Sequence, residues 1–563
     1  MERAFSRAGL DVSNENPGAL SGGGVVASSL FYGCGAGDGV GGVDDSKNPH
    51  TKNKLFIMFG EGVFLQLKFQ AVKIRLLRIM IVIFVHGWSV RDTGTYGGLP
   101  RYLASQSGPD GKPFTVSNVY LGRYISFDDT VTMDDISRAF EQAIRDELGK
   151  KLKSGVRLAC ITHSTGGPVI RNWIDLYYRK SLGDCPLSHL VMLAPANHGS
   201  ALAQLGKSRL SRMKFFIEGA EPGERVLDWL ELGSGAAWTL NEAWLDYDCV
   251  GNGLFPFVLV GQTIDRSFYD VLNTYTDEMG SDGVVRVAAA NLNYSLLELA
   301  QDEAGDLKPK RGWRAKPTAF GILPQLSHSG DDIGIIRSVS ADGLRPAKVA
   351  KDRGIPRDHP TAQWVVQCLR VTTPTNYAKV ASDLAQLTEQ TQQAERIEKH
   401  QSLFWTREYP NDHCAQVIVR LRDDRGQTLS DYDLYLTAGP AYSERELPEG
   451  FFVDRQRNHR ETGKLTYYLN WDVLDRELRL PKLGAKFGFR IEARPKESPD
   501  ALAFYRTLNF KSDLDALERA LRPNETLMLD IEMKRMVDAA VFRISNDLTP
   551  GKISRTPLGK TVT

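Results

Sequence analysis

From about residue 79 to residue 262 the chain alternates short apolar runs with stretches of helical periodicity, and this alternation limits its folds more than any other feature. "IMIVIFVHG", "VSNVYLGRYIS", "VRLACITHS", "LSHLVMLAP" and "FPFVLVGQ" read as five strands. Between them, "MDDISRAFEQAIRDELGKKL" repeats apolar residues at helical spacing, with Asp134 and Asp135 near its start, where acids suit the helix dipole. "GGPVIRNWIDLYYRK" is a second helix. Strands that each return through a helix predict an α/β architecture: a mostly parallel sheet with helices on both faces.

Two regions depart from this pattern. Residues 200–250 insert amphipathic helix-like pieces carrying Trp229, Trp238 and Trp244. They read either as a helical cap packed on the sheet or as a lid that gates an apolar site. Phe215, Phe216, Ile217, Leu227, Trp229, Leu230 and Leu232 lie close to Lys207, Arg209, Arg212 and Lys214, which suits docking onto an anionic lipid surface. Beyond about residue 370, "NYAKVASDLAQLTEQTQQAERIEKH" reads as a connecting helix. Short strand-like runs with turn residues between them follow, the pattern of a β-rich, sandwich-like unit.

The expected division is therefore 1–53, 54–370 with its cap insertion, a helical connector over 371–400, and a β-rich unit over 401–563. Residues 1–53 are rich in Gly, Ser, Asn and Asp and lack the three parts of a secretory signal. They read as disordered, or as an over-extended gene start. The longest apolar run there and beyond, Ile79 to Val85, is far short of the roughly 20 residues a membrane-spanning helix needs. Lys plus Arg total 70 against 69 acidic residues, so charge makes no case for nucleic acid as a partner. Six cysteines without CxxC spacing argue against both a zinc site and a disulfide framework. No metal and no cofactor is expected. Asp423, Asp424, Asp431 and Asp433 cluster in a calcium-site-like way, but read more simply as a solvated hairpin turn.

The chemistry concentrates at "VRLACITHSTGGPVIRNW". A nucleophile elbow needs a strand, a sharp turn, a helix and small neighbours around a central serine. Ser164 is central, Gly166 fills the second glycine position, and Thr162 replaces the first. The competing reading makes Ser164 a helix cap. The rest of the constellation favours the elbow. Acyl transfer needs two oxyanion donors: the N–H after the nucleophile, here Thr165, and one from an early strand's loop. "IVIFVHGWS" offers the N–H of Trp88 for the second, with His86 beside it. Asp282 in "SDGVV" and His328 in "LSHSGDD" then follow in the order Ser, Asp, His. His198 in "APANHGS" is a rival base that precedes the acid, and is assigned to the pocket wall with His86, Trp229 and Trp238.

Together, "VHGW", "THSTGG", "APANHGS", "SDGVV" and "SHSGDDIG" resemble the lipase and esterase branch of the α/β-hydrolase superfamily. They are most similar to inositol-deacylase-like proteins, which include bacterial lipase effectors of type VI secretion. The resemblance covers about 79–340. It implies an eight-stranded, mostly parallel sheet, no cofactor, and ester hydrolysis by Ser164, Asp282 and His328, with Trp88 and Thr165 at the oxyanion. "APANHGS" resembles the "GTPxxGS" loop of these lipases, with Ala194 in place of the glycine. The resemblance further implies a lipid or phospholipid substrate met at a membrane surface. It also implies an immunity or secretion-system partner, and a protein cytoplasmic in the producing cell and exported without a signal peptide. Two other readings stand beside it. One is a soluble esterase or acyltransferase for small esters. The other is a hydrolase-fold binding protein without catalysis, against which the complete triad counts.

Overall fold

The computed structural model describes residues 55–59, 63–67, 80–85, 93–118, 129–153, 156–204, 223–265, 278–401, 406–498 and 502–537. β1 (Leu55–Phe59) and β2 (Val63–Leu67) form a separate antiparallel hairpin. Everything described from residue 80 onward belongs to one compact unit.

That unit opens with the α/β layer: β3 (Met80–Val85), β4 (Thr115–Asn118), β5 (Arg157–His163), β6 (Leu187–Leu193) and β7 (Phe255–Val260). β8 (Tyr294–Gln301) and β9 (Leu307–Arg314) leave this sheet, and β10 (Ala319–Ile322) returns to it. The strand order is β10-β7-β6-β5-β3-β4, with every neighbour parallel. A parallel sheet must be covered on both faces, and alternation along the strands shows how. Ile81, Ile83 and Val85 of β3 enter one apolar core, with Leu158 and Cys160 of β5. Val82 and Phe84 enter the opposite core, with Ala159 and Ile161.

Helices fill both faces. α1 (Leu99–Ser105) places Leu99 and Leu103 in the second core. α2 (Met133–Lys153), α3 (Gly166–Tyr178), α4 (Glu224–Leu230) and α5 (Gly235–Trp244) all contribute to the first. After the short α6 (Val287–Ala290), α7 (Pro360–Leu369) and α8 (Pro374–Ala394) cover the second core with Val365, Leu369, Tyr377 and Leu384. α8 lies over the segment expected to be a connector. It is instead a flank of the sheet: the Tyr377 hydroxyl accepts from Ala319 N–H at 2.8 Å, and Thr388 accepts from Ile322 N–H at 3.0 Å.

The β-rich part begins with the hairpin β11 (Ile397–Gln401) and β12 (Thr406–Pro410). It continues through β13 (Cys414–Asp423), β14 (Tyr432–Ala438), β15 (Phe452–Arg457), β16 (Lys464–Asn470), β17 (Lys486–Ala493), β18 (Ala503–Phe504), β19 (Leu508–Asp513), β20 (Thr526–Met533) and β21 (Met536–Val537). Its larger sheet has the order β15-β16-β13-β20-β8-β9 and its smaller one β14-β17-β19. The two enclose a third apolar core holding Leu299, Val419, Leu465 and Leu529 from the first sheet, and Leu434, Phe489 and Leu508 from the second.

Two expectations need revision. The α/β sheet has six strands among the described residues rather than eight. The β-rich part also does not start at 401, because residues 294–314 supply two of its strands. β8 pairs in parallel with β20, more than two hundred residues later, and is buried over most of its length. Among the described residues no helix is long and apolar enough to cross a membrane. The carboxylates of the aspartate cluster are used locally. Asp423 accepts from the N–H groups of Arg425 and Gln427, Asp424 accepts from that of Arg535, and Asp431 and Asp433 pair with Arg494.

Candidate active site

The carboxyl ends of β5, β6, β7 and β10 share one edge of the sheet, where open α/β folds bind ligands. β5 ends at His163, and Ser164 follows with φ of +54°. A left-handed conformation is strained for a serine, yet the chain must turn there to start α3 two residues on. Ser164 N–H donates to Leu193 O at 3.0 Å, tying the turn to β6. Thr162, in place of the usual glycine, lies in register with Val85 and Met192, and its larger side chain is buried on a face of the sheet, at 1% exposure.

Ser164 does not cap α3. The helix starts after Thr165 without a side-chain cap, and the Ser164 Oγ instead lies 3.2 Å from His328 Nε2. His328 sits on the loop after β10. Its Nδ1 is 2.9 Å from Asp282 Oδ2, and its N–H donates to the Asp282 carbonyl at 3.0 Å. The other Asp282 oxygen accepts from the N–H groups of Val284 and Val285 at 3.0 and 2.7 Å. With Oδ1 committed to the turn, Oδ2 is aimed at the imidazole. Asp282 and His328 are buried, at 1% and 4% exposure.

Gly261, at the end of β7, lets the histidine loop approach. A Cβ there would come within 2.0 Å of Leu326 O. Ala194, where related loops carry glycine, adopts φ of +47°. The loop keeps the backbone shape that glycine serves, although an alanine occupies it.

The other expected site residues fall as follows. Thr165 is buried at the start of α3. His86 and Trp88 lie outside the described residues. So does the basic and apolar stretch from Lys207 to Ile217. His198 is buried behind the acid turn, not at the serine. Its ring packs edge-on against Tyr294 at 4.8 Å, and its Nδ1 lies 3.2 Å from Ala289 O. Burial and the nearby Arg171 pull its pKa down to about 3, so it is neutral. Trp229 and Trp238, expected at the pocket or lid, are 5% and 3% exposed and belong to the first core. Of the two readings of this insertion, the burial fits the packed cap, and Leu227, Leu230 and Leu232 of the expected docking face are buried too. Here α4 and α5 turn those rings inward, and Arg420 from β13 covers Trp238 at 4.4 Å.

His163 was missed as a site residue. It sits beside Ser164, with Nε2 3.0 Å from His328 O and its ring 4.8 Å from the His328 ring. Its place in "THSTGG" was the available signal.

The layered sheet, the strained serine turn and the serine–histidine–aspartate contact define an α/β-hydrolase, a carboxylic ester hydrolase by class. No family model and no curated protein matches the chain. Among solved structures, phospholipase PlaB from Legionella pneumophila matches at 56% identity, covering 86% of this chain and 100% of that chain, with a TM-score of 0.78. The same phospholipase in complex with thio-NAD matches at 55% identity over the same shares, with a TM-score of 0.77. The chain belongs to the family of this phospholipase.

Proposed function

We propose that the chain hydrolyses acyl esters of phospholipids with Ser164 as nucleophile, His328 as base and Asp282 as the acid that orients it. The observation that carries this reading is the continuous contact from Ser164 Oγ through the His328 ring to Asp282 Oδ2, at 3.2 and 2.9 Å. The kinship with a phospholipase supports the substrate class.

In this reading the Ser164 Oγ attacks the ester carbonyl while His328 Nε2 takes its proton. The imidazolium is stabilised by Asp282, which also fixes the tautomer with the proton on Nδ1. The oxyanion forms at the start of α3, where the Thr165 N–H supplies one donor and the helix dipole adds partial positive charge. Trp88 N–H is the second proposed donor. The protonated Nε2 then returns its proton to the leaving alcohol. Water repeats the sequence on the acyl-enzyme and releases the fatty acid.

The test is hydrolysis of defined phospholipid vesicles, a triacylglycerol emulsion and a soluble short-chain ester by the wild-type protein and Ser164→Ala. Turnover of phospholipid above the other two, lost in the variant, is the expected result. Preference for the short ester would make the protein a small-ester esterase, and equal turnover by the variant would move the nucleophile elsewhere. Export as a type VI effector rests on the motif resemblance alone; a growth competition between producing and recipient cells, with and without that secretion system, tests it.

A further inference from the structure

Ser164 and His328 are carried by the α/β sheet, but the turn that bears Asp282 rests on the other sheet. Residues 280–287 form a tight hairpin: Val287 N–H donates to Gly280 O at 2.8 Å, Ser281 bridges Arg286, and Asp282 N–H donates to Val285 O. Tyr468, in the middle of β16, meets the base of this hairpin. Its hydroxyl lies 3.0 Å from both the Met279 and the Gly280 carbonyl oxygens. Gly280 has φ of +64°, and a Cβ there would come within 2.7 Å of that hydroxyl, so the backbone is seated directly on it. Burial raises the Tyr468 pKa, which keeps the phenol a proton donor.

A second grip comes from Arg286, which is 1% exposed. It binds Glu278 with two nitrogens at 2.8 and 2.6 Å, closing the hairpin's own ends. It also pairs with Asp454 of β15 and stands over the Tyr468 ring at 4.2 Å from the centroid. On the far side, the Thr526 hydroxyl of β20 donates to Ala288 O at 2.8 Å. Three strands of the β-rich sheet thus hold the segment that aims the acid. The loop after β6 of the α/β layer grips other parts of the segment: Ser200 Oγ donates to Val284 O at 2.6 Å, and His198 N–H donates to Ala289 O at 2.9 Å.

We propose that Tyr468 is a positioning residue for Asp282, so that the β-rich part sets the geometry of the acid in the hydrolytic reaction. This rests on the proposed triad. The phenol hydroxyl acts two residues from Asp282, through the backbone, and touches neither substrate nor the reacting atoms. An adjacent tyrosine offers a matched control. Tyr467 is equally buried, but its hydroxyl donates to Leu434 O at 2.8 Å, on the opposite face of β16. Each hydroxyl deletion removes one buried hydrogen bond from the same strand, and only one of them lies under the acid.

The experiment compares Y468F, Y467F and Ser164→Ala with wild type, using a soluble short-chain ester to avoid surface effects. Melting temperature, kcat and KM are measured for each. Y468F is expected to lower kcat on the order of ten-fold with KM unchanged, less than the ~10²-fold that a 1 Å misplacement can cost. Y467F should match its loss of melting temperature while keeping the wild-type kcat. Wild-type kcat in Y468F, or equal kcat losses in the two tyrosine variants, would overturn the proposal. If Y468F cannot be purified folded, Asp454→Asn, which loosens Arg286 at the rim of the same hairpin, carries the same expected kcat–KM split, and a wild-type kcat there would likewise overturn it. Activity retained by Ser164→Ala would strike the triad reading itself, a result distinct from either tyrosine outcome.

Discussion

His163 Nε2 lies 3.0 Å from the carbonyl oxygen of His328, so the residue preceding Ser164 grips the backbone of His328. A carbonyl can only accept, so Nε2 carries the proton. Burial and the His328 ring pull the His163 pKa down to about 3, so the ring stays neutral through the working pH range. This contact sets the distance between serine turn and histidine loop independently of the side chains that react. His163→Leu is expected to lower kcat on the order of ten-fold, since small misplacements at a reacting centre are costly. His163→Gln, which keeps a donor, should recover part of the loss. Steady-state kinetics on one soluble ester checks both.

The two candidate bases separate cleanly by variant. His328→Ala should remove nearly all turnover, since loss of a triad base costs about 10⁶-fold in kcat in a well-studied protease. His198→Ala should instead lower the melting temperature and leave kcat near wild type in the folded fraction, because its ring packs on Tyr294. A large kcat loss in folded His198→Ala would reverse the assignment.

Trp229→Ala should destabilise the protein by about 3–5 kcal/mol, the usual cost of emptying a large aromatic site in a core. Urea denaturation measures it. Activity on vesicles and on a short ester should fall together, in step with the folded fraction. A selective loss on vesicles, with stability intact, would restore Trp229 to a lid.

Acid should weaken the fold well before carboxylates titrate. His189 is held neutral with a pKa near 4, by burial foremost, and its Nε2 lies 2.8 Å from Val371 O. His198 and His359 are held near 3, again chiefly by burial. In the unfolded chain each titrates near 6.5. Above that pH neither state is protonated and the contribution is constant. Below it the unfolded chain binds protons that the folded chain refuses, so stability falls with pH. The slope is at most about 1.4 kcal/mol per pH unit for each histidine, until the folded pKa is reached. Melting temperature should therefore drop between pH 6.5 and 5. His163 is held near 3 as well, so His189→Gln should flatten that drop by about a quarter, as calorimetry across the range will record.

The local features were readable because they are written in neighbouring residues. The alternation that marks β5 and α3 brackets Ser164, and the Asp-Gly turn and the loop histidine follow in the required order. The structure brings those three side chains within hydrogen-bond reach. What was not readable depends on distant partners. Residues 294–301 fall inside the stretch assigned to the α/β unit, yet form β8 of the β-rich sheet. Its allegiance is decided by β20 and β9, and no periodicity within 294–301 records that. The tryptophans of α4 and α5 were ambiguous for a related reason. An amphipathic helix states that one face is buried, but not against what. Tyr468 is one of two adjacent tyrosines in a strand, and only the docking of the 278–287 hairpin distinguishes them.

The place of β20 in its sheet has a consequence for the life of the nascent chain. It joins β15-β16-β13 on one side to β8-β9 on the other. Until Thr526–Met533 has left the ribosome, the strands that carry Asp454 and Tyr468 have no edge to share with the strands that follow Asp282. Pairings of such sequence separation form late and slowly. Ser164 and His328 are translated well before this strand. On the proposed role of Tyr468, the hydrolase gains the geometry of its acid only after β20 has paired.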